Sequence, residues 1–188
     1  MSIEIIALAG RIASGKSKAA ELLAAEFDAE HIEYSSFIYR AMDLFDIEHT
    51  RQNIEKMSYL LRHALAPDIL CRAVLKRLRE TRKRWVVLST IRRAADLDGI
   101  KERYPVHLWY VDADQHTRYR RHVSSARKVG DVDMTFTEFQ EIENNEVQRT
   151  IPLLKGNAEV IIENNSDYEM FLNLIRSHAS NLIKASES

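Results

Sequence analysis

Residues Ile5-Ile6-Ala7-Leu8-Ala9-Gly10-Arg11-Ile12-Ala13-Ser14-Gly15-Lys16-Ser17 carry most of the information in this 188-residue chain. Five consecutive apolar residues closed by a glycine predict a strand buried on both faces of a parallel sheet. From Lys16 the period changes, and Ala19, Leu22, Leu23 and Phe27 recur at helical spacing. Between strand and helix, Gly10 to Ser17 matches G-x-x-x-x-G-K-[ST] at every position.

That pattern has a mechanical meaning. Glycines let the loop curl so that successive backbone N–H groups of Gly10, Arg11, Ile12, Ala13, Ser14, Gly15 and Lys16 face a phosphate, and the helix amino end adds its dipole. Lys16 then bridges the β- and γ-phosphates, and the Ser17 hydroxyl is offered to Mg²⁺. The chain holds only five glycines, two of them at the required places, so a merely flexible loop does not explain them. The expected ligand is a nucleoside triphosphate.

Outward from the loop, the same alternation continues. His31 to Tyr34, Trp85 to Leu88, Val106 to Val111 and Ala158 to Ile162 predict four more strands. Helices are expected from Phe37 to Phe45, Thr50 to Ala64, Leu70 to Leu78, Ala94 to Tyr104, from Arg118, from Phe136 to Val147 and from Tyr168 to Ile183, with Ser35 or Ser36 as a cap. Five strands alternating with helices imply a three-layer α/β fold of the P-loop NTPase type: a five-stranded, mainly parallel sheet with helices on both faces and a small helical lid. Ligands of such sheets sit beyond the carboxyl ends of the strands, here marked by Gly10, Ser35, Ser89 and Asp112.

Composition narrows the function classes. One domain over residues 1–188 is expected at roughly 150 residues per domain. Hydrophobic residues at 45% and charged residues at 29% fit a folded globular chain, and no apolar run is long enough to span a membrane. A formal charge of −1 supplies no global basic field, so nucleic acid is not an expected partner. The basic run Arg72, Lys76, Arg77, Arg79, Arg82, Lys83, Arg84 interleaves with Leu70, Val74, Leu75 and Leu78, which is the pattern of an amphipathic helix with a solvated face. Cys71 is the sole cysteine, so no intramolecular disulfide forms, and the cytoplasm is the default compartment. His116 and His122 stand six apart, which is not zinc-helix spacing.

On these residues the sequence resembles the nucleoside monophosphate kinase-like group of P-loop phosphotransferases, in particular deoxynucleoside monophosphate kinases, dephospho-CoA kinases and animal-type phosphomevalonate kinase. Ser36-Phe37-Ile38-Tyr39-Arg40 is similar to the helix whose arginine holds the acceptor phosphate, making Ser36 and Arg40 acceptor-site candidates. Leu88-Ser89-Thr90-Ile91-Arg92 resembles a strand end commonly written aspartate-glycine-x-arginine; Arg92 matches as an acceptor contact, and Ser89 stands where the aspartate would be. Asp112 or Asp114 is the alternative carboxylate. The resemblance further implies a lid over about 118–147 whose Arg118, Arg121 and Arg127 meet the transferring phosphoryl group, acceptor helices over about 36–83, and Asn165 near the donor adenine.

Together these imply an ATP- and Mg²⁺-dependent kinase that phosphorylates a small phosphorylated acceptor, most simply a nucleoside or deoxynucleoside monophosphate. Dephospho-CoA-like and phosphomevalonate-like acceptors are the alternatives within the class, and a non-catalytic nucleotide-binding switch is the alternative outside it. No strong general base is evident, and none is needed when the attacking acceptor oxygen is already ionised.

Overall fold

The computed structural model describes residues 2–125, 134–144 and 146–186. Five strands form one sheet: β1 (Glu4–Ala9), β2 (Glu30–Glu33), β3 (Trp85–Ile91), β4 (Val106–Asp112) and β5 (Val160–Glu163). Their order is β2-β3-β1-β4-β5, and every pairing is parallel. All six residues of β1 are buried, as its unbroken apolar run requires at the centre of a sheet covered on both faces. Glu4 enters that strand because Arg84 Nη2 meets its carboxylate at 3.1 Å at the amino end of the sheet.

Alternation along the strands builds two cores. Ile6, Leu8, Val87, Trp109 and Val111 pack against α1 (Lys16–Glu26) and the closing helix, Tyr168–Ser186. Ile5, Ala7, Leu88, Ile91 and Tyr110 pack on the opposite face, against α2 (Tyr34–Leu44), α3 (Arg51–Leu60), α4 (Ile69–Glu80) and α5 (Ala95–Lys101). In α4, Leu70, Cys71, Val74, Leu75 and Leu78 face inward. Part of its basic run is spent on ion pairs: Arg72 with Asp68, Arg77 with Glu30, and Lys83 with Asp28 just beyond the helix.

Beyond β4 the chain forms α6 (Gln115–Ser125), α7 (Phe136–Glu143) and α8 (Glu146–Thr150), with the closing helix α9 (Tyr168–Ser186) after β5. The expected helix from 136 to 147 is two helices. Thr135 and Glu138 start α7 with a reciprocal capping box. A 3-10 segment, Ile151–Asn157, follows α8 and buries Ile151 and Leu154, although Pro152 and Gly156 hide its periodicity in the sequence. Neither Ser35 nor Ser36 is a helix cap: α2 starts at Tyr34, directly after β2, and takes both serines into its first turn. The expected helix over 50–64 ends in a π-helical turn, Leu61–Leu65. Among the described residues no helix is long and apolar enough to cross a membrane.

Candidate functional site

Strand β1 ends at Ala9, and the loop from Gly10 to Gly15 turns the chain into α1. Gly10 (φ 146°) and Gly15 (φ 110°) both lie in backbone conformations that disfavour a side chain. Space excludes one as well. A Cβ on Gly10 would lie 2.2 Å from the Val111 carbonyl, and one on Gly15 would lie 2.3 Å from Asn164 Nδ2. Ala13 adds a third positive φ, 57°. Lys16 Nζ donates to the Arg11 carbonyl at 2.7 Å, so the lysine arches over the loop. Ser17 lies one residue further, in the first turn of α1.

The loop is buttressed from α6 and from the end of β5. Asn164 Nδ2 donates to the Ser14 carbonyl at 2.8 Å, and the Asn164 backbone N–H donates to Asp112. Arg121 donates to both the carbonyl and the side-chain oxygen of Asn164, at 3.0 and 3.2 Å. Burial makes protonation of its guanidinium less favourable than usual. Arg118, almost wholly buried, donates through Nε to Ala113 O at 2.8 Å and through Nη1 to Ile12 O at 3.4 Å. Its fork also grips both carboxylate oxygens of buried Glu143. Arg127 lies outside the described residues. Asn165 accepts from the Asp114 N–H at 2.8 Å, so it shapes the loop after β5.

Ala9 pairs with Ile91, which places the end of β3 beside the start of the loop. A bulge interrupts the ladder there, and Thr90 takes φ 62°, a left-handed conformation that β-branched residues seldom adopt. Thr90 occupies the glycine place of the aspartate-glycine-x-arginine pattern, which explains why glycine suits that position. Ser89, in the aspartate place, hydrogen-bonds His31 at 2.7 Å. Glu33 ends β2 in register with Ser89, so a carboxylate stands on the strand adjoining the missing one. Ser35 Oγ donates to it at 2.7 Å. Of the two carboxylates expected as alternatives, Asp112 and Asp114, Asp112 is taken by Lys155 at 2.6 Å.

Under the end of β3 opens a cavity of about 640 Å³ lined by α2, α3, the π-helical turn and the segment after β3. Tyr34, Ser35 and Ile38 line it from α2, and Arg92 lines it from the segment after β3. Ser36 and Arg40 do not: at about 100° per residue they fall on the far side of α2 from Tyr34 and Ile38. Arg40 is exposed, and Ser36 Oγ donates to the Glu33 carbonyl. Lys56, Arg62 and Arg93 are lining cations that no motif marked, against the acids Glu55 and Asp96. Arg62 Nη2 meets Asp96 Oδ1 at 2.9 Å, both side chains being largely buried. Tyr34 donates to the Asp96 carbonyl, and its hydroxyl pKa is raised by burial and by the Asp96 charge. Tyr59 stacks on His63, ring centroids 3.8 Å apart, at the same cavity.

The site's residues suit the groups that the motif implies. Two glycines with no room for a Cβ leave the loop's N–H groups as the lining of a phosphate cradle. The Ser17 hydroxyl and a strand-end carboxylate are hard oxygen donors of the kind Mg²⁺ takes.

This arrangement of sheet order, loop and flanking helices defines the P-loop NTPase fold, and solved structures, kinases among them, share it over nearly their whole length. A protein from Thermus thermophilus superposes with a TM-score of 0.68 at 17% identity, covering 97% of this chain and 99% of that one. A gluconokinase from Sinorhizobium meliloti gives 0.63 at 16% identity, over 98% and 95%. Shikimate kinase from Acinetobacter baumannii, solved in complex with shikimate, gives 0.59 at 16% identity, over 97% and 94%. No protein-family model matches the chain, and no curated protein does.

Proposed function

We propose that the chain is an ATP- and Mg²⁺-dependent phosphotransferase acting on a small phosphorylated acceptor, a nucleoside or deoxynucleoside monophosphate. The pairing of Ala9 with Ile91 carries this reading, because it sets the phosphate loop beside the mouth of the cavity that Arg92 lines. Donor phosphates lie on the loop backbone and Lys16. Ser17, with Glu33 from the adjoining strand, holds the Mg²⁺ shell, and the metal when bound neutralises charge developing on the phosphates. Arg92, Arg93 and Lys56 hold the acceptor anion. The Tyr59–His63 stack and the apolar walls Ile38, Ile54 and Leu70 suit a flat ring, which favours a nucleoside over an aliphatic acceptor. Arg118 faces the transferring group beside the loop, and Arg121 acts through Asn164 as a support.

A product assay tests this, with ATP·Mg²⁺ against ribo- and deoxynucleoside monophosphates, dephospho-CoA and phosphomevalonate, and Lys16→Ala as the blank. A Lys16-dependent nucleoside diphosphate is the expected product. Arg92→Ala should raise the acceptor KM by about tenfold or more with ATP affinity kept, as loss of a charged contact does. ATP binding without transfer to any acceptor would instead support the nucleotide-binding switch, the reading that Ser89 in the aspartate place favours.

A further inference from the structure

Glu143 is a buried carboxylate set among the residues of a site built for anions, and its surroundings are unusual for that reason. It reaches the loop from α7. Oε1 takes Arg118 Nη1; Oε2 takes Arg118 Nη2 at 3.3 Å and Gln115 Nε2 at 2.9 Å. Oε2 also lies 3.6 Å from Nη1 of Arg11, the first residue after Gly10 in the phosphate loop. Both Arg118 and Glu143 side chains are nearly excluded from water, whereas that of Arg11 is one-third exposed.

Two guanidinium groups side by side at the loop would repel each other and swing apart. One carboxylate between them holds both and still leaves the trio with a net positive charge. Arg118 is held by Ala113 O at Nε, by Glu143 at its fork and by Ile12 O close to Nη1, with the ring of Phe139 at 5.9 Å. Such a guanidinium requires no reorganisation when negative charge develops beside the loop, which is the condition for strong transition-state stabilisation. We infer that Glu143 is a positioning residue for phosphoryl transfer, holding Arg118 and Arg11 in the orientation that the transition state requires. The inference rests on the phosphotransferase reading above, and Glu143 itself touches neither substrate.

The simpler role for Glu143 is a staple between α6 and α7, and kinetics separates the two. Glu143→Gln keeps the shape and a carbonyl acceptor while removing the charge; Glu143→Asp keeps the charge on a shorter arm. Each variant is measured for kcat, for acceptor KM and, by calorimetry, for ATP·Mg²⁺ dissociation constant, in the wild-type background and with Arg118→Lys. Glu143→Gln should lower kcat by about 100-fold, the scale of a misplaced catalytic group, with the ATP dissociation constant within about threefold. Glu143→Asp should recover part of that loss. In the Arg118→Lys background the same change should cost less than about threefold, because the two residues act as one unit.

An unchanged kcat in Glu143→Gln, or an equal loss in both backgrounds, overturns the positioning role. A Glu143→Gln protein that no longer binds ATP or folds shows a staple and overturns it too. If wild-type protein gives no Lys16-dependent product with any acceptor, the phosphotransferase reading itself has failed, an outcome that the wild-type arm alone reports.

Discussion

Asn164 and Ser14, 150 positions apart in the chain, are joined by a buried hydrogen bond of 2.8 Å from Asn164 Nδ2 to the Ser14 carbonyl. The bond closes the loop from behind, and it occupies the space that a side chain at Gly15 would need, 2.3 Å from where its Cβ would lie. The phosphate loop thus takes its shape from the residue that follows the edge strand β5 as well as from its own glycines.

Gly15→Ala is therefore expected to destabilise by about 2–4 kcal/mol, adding a positive-φ penalty to the loss of a buried hydrogen bond. Urea unfolding measures this. Asn164→Ala should lose only the hydrogen-bonding part, about 1–3 kcal/mol. Equal losses in the two variants would contradict the contribution of backbone strain.

Ser14 is fully buried, and its hydroxyl has no hydrogen-bond partner among the described residues. An unsatisfied buried hydroxyl costs free energy that an alanine does not. Ser14→Ala should raise the unfolding free energy by up to about 1 kcal/mol, read as a higher urea midpoint with the slope of the transition unchanged. A lowered midpoint would reveal a partner for the hydroxyl.

Thr90 carries a left-handed backbone at the end of β3 and accepts a hydrogen bond from the Ser35 N–H at 3.3 Å. Alanine and glycine both remove that acceptor, but only glycine relieves the backbone. Thr90→Gly should be more stable than Thr90→Ala by about 1 kcal/mol, the reverse of the order that holds in strands with ordinary φ. Thermal unfolding of the two variants side by side gives the difference directly.

His31 has its pKa lowered from the ordinary 6.5, chiefly by burial, with Glu33 and Glu21 opposing the shift. The neutral ring is thus the form that the fold prefers. Its contribution to stability is complete above about pH 6.5 and is lost as pH falls through the lowered folded value, because the unfolded chain then binds the extra proton. The stability difference between wild type and His31→Gln should shift against the wild type as pH falls below 6.5. A difference that stays constant from pH 7.5 to 5 would refute the coupling.

The legible part of this protein is the part encoded by local period and by backbone chemistry. The apolar run ending at Gly10, the glycines at positions 10 and 15, and the alternation of strands with helices lead to the sheet and the loop because each depends on neighbours a few residues away. The end of β3 was half legible. Arg92 follows from a motif, while the meaning of Thr90 appears only in its dihedral angle. Arg40 is expected at the acceptor site and lies on the face of α2 away from the cavity, in a helix that begins at Tyr34 rather than Phe37.

What the sequence by itself determined is the strand-loop-helix unit and the α/β architecture around it, because hydrophobic period and the steric freedom of glycine are properties of the chain alone. Tertiary structure alone decided the partners. Asn164 behind Ser14, Glu143 between Arg118 and Arg11, Glu33 beside Ser89 and Arg62 on Asp96 are contacts between segments 25 to 150 residues apart or on separate strands. No local rule pairs such residues. Their positions follow from strand order and helix packing, which bring buried charges together where only each other's counter-charge and hydrogen bonds can replace the water they have lost.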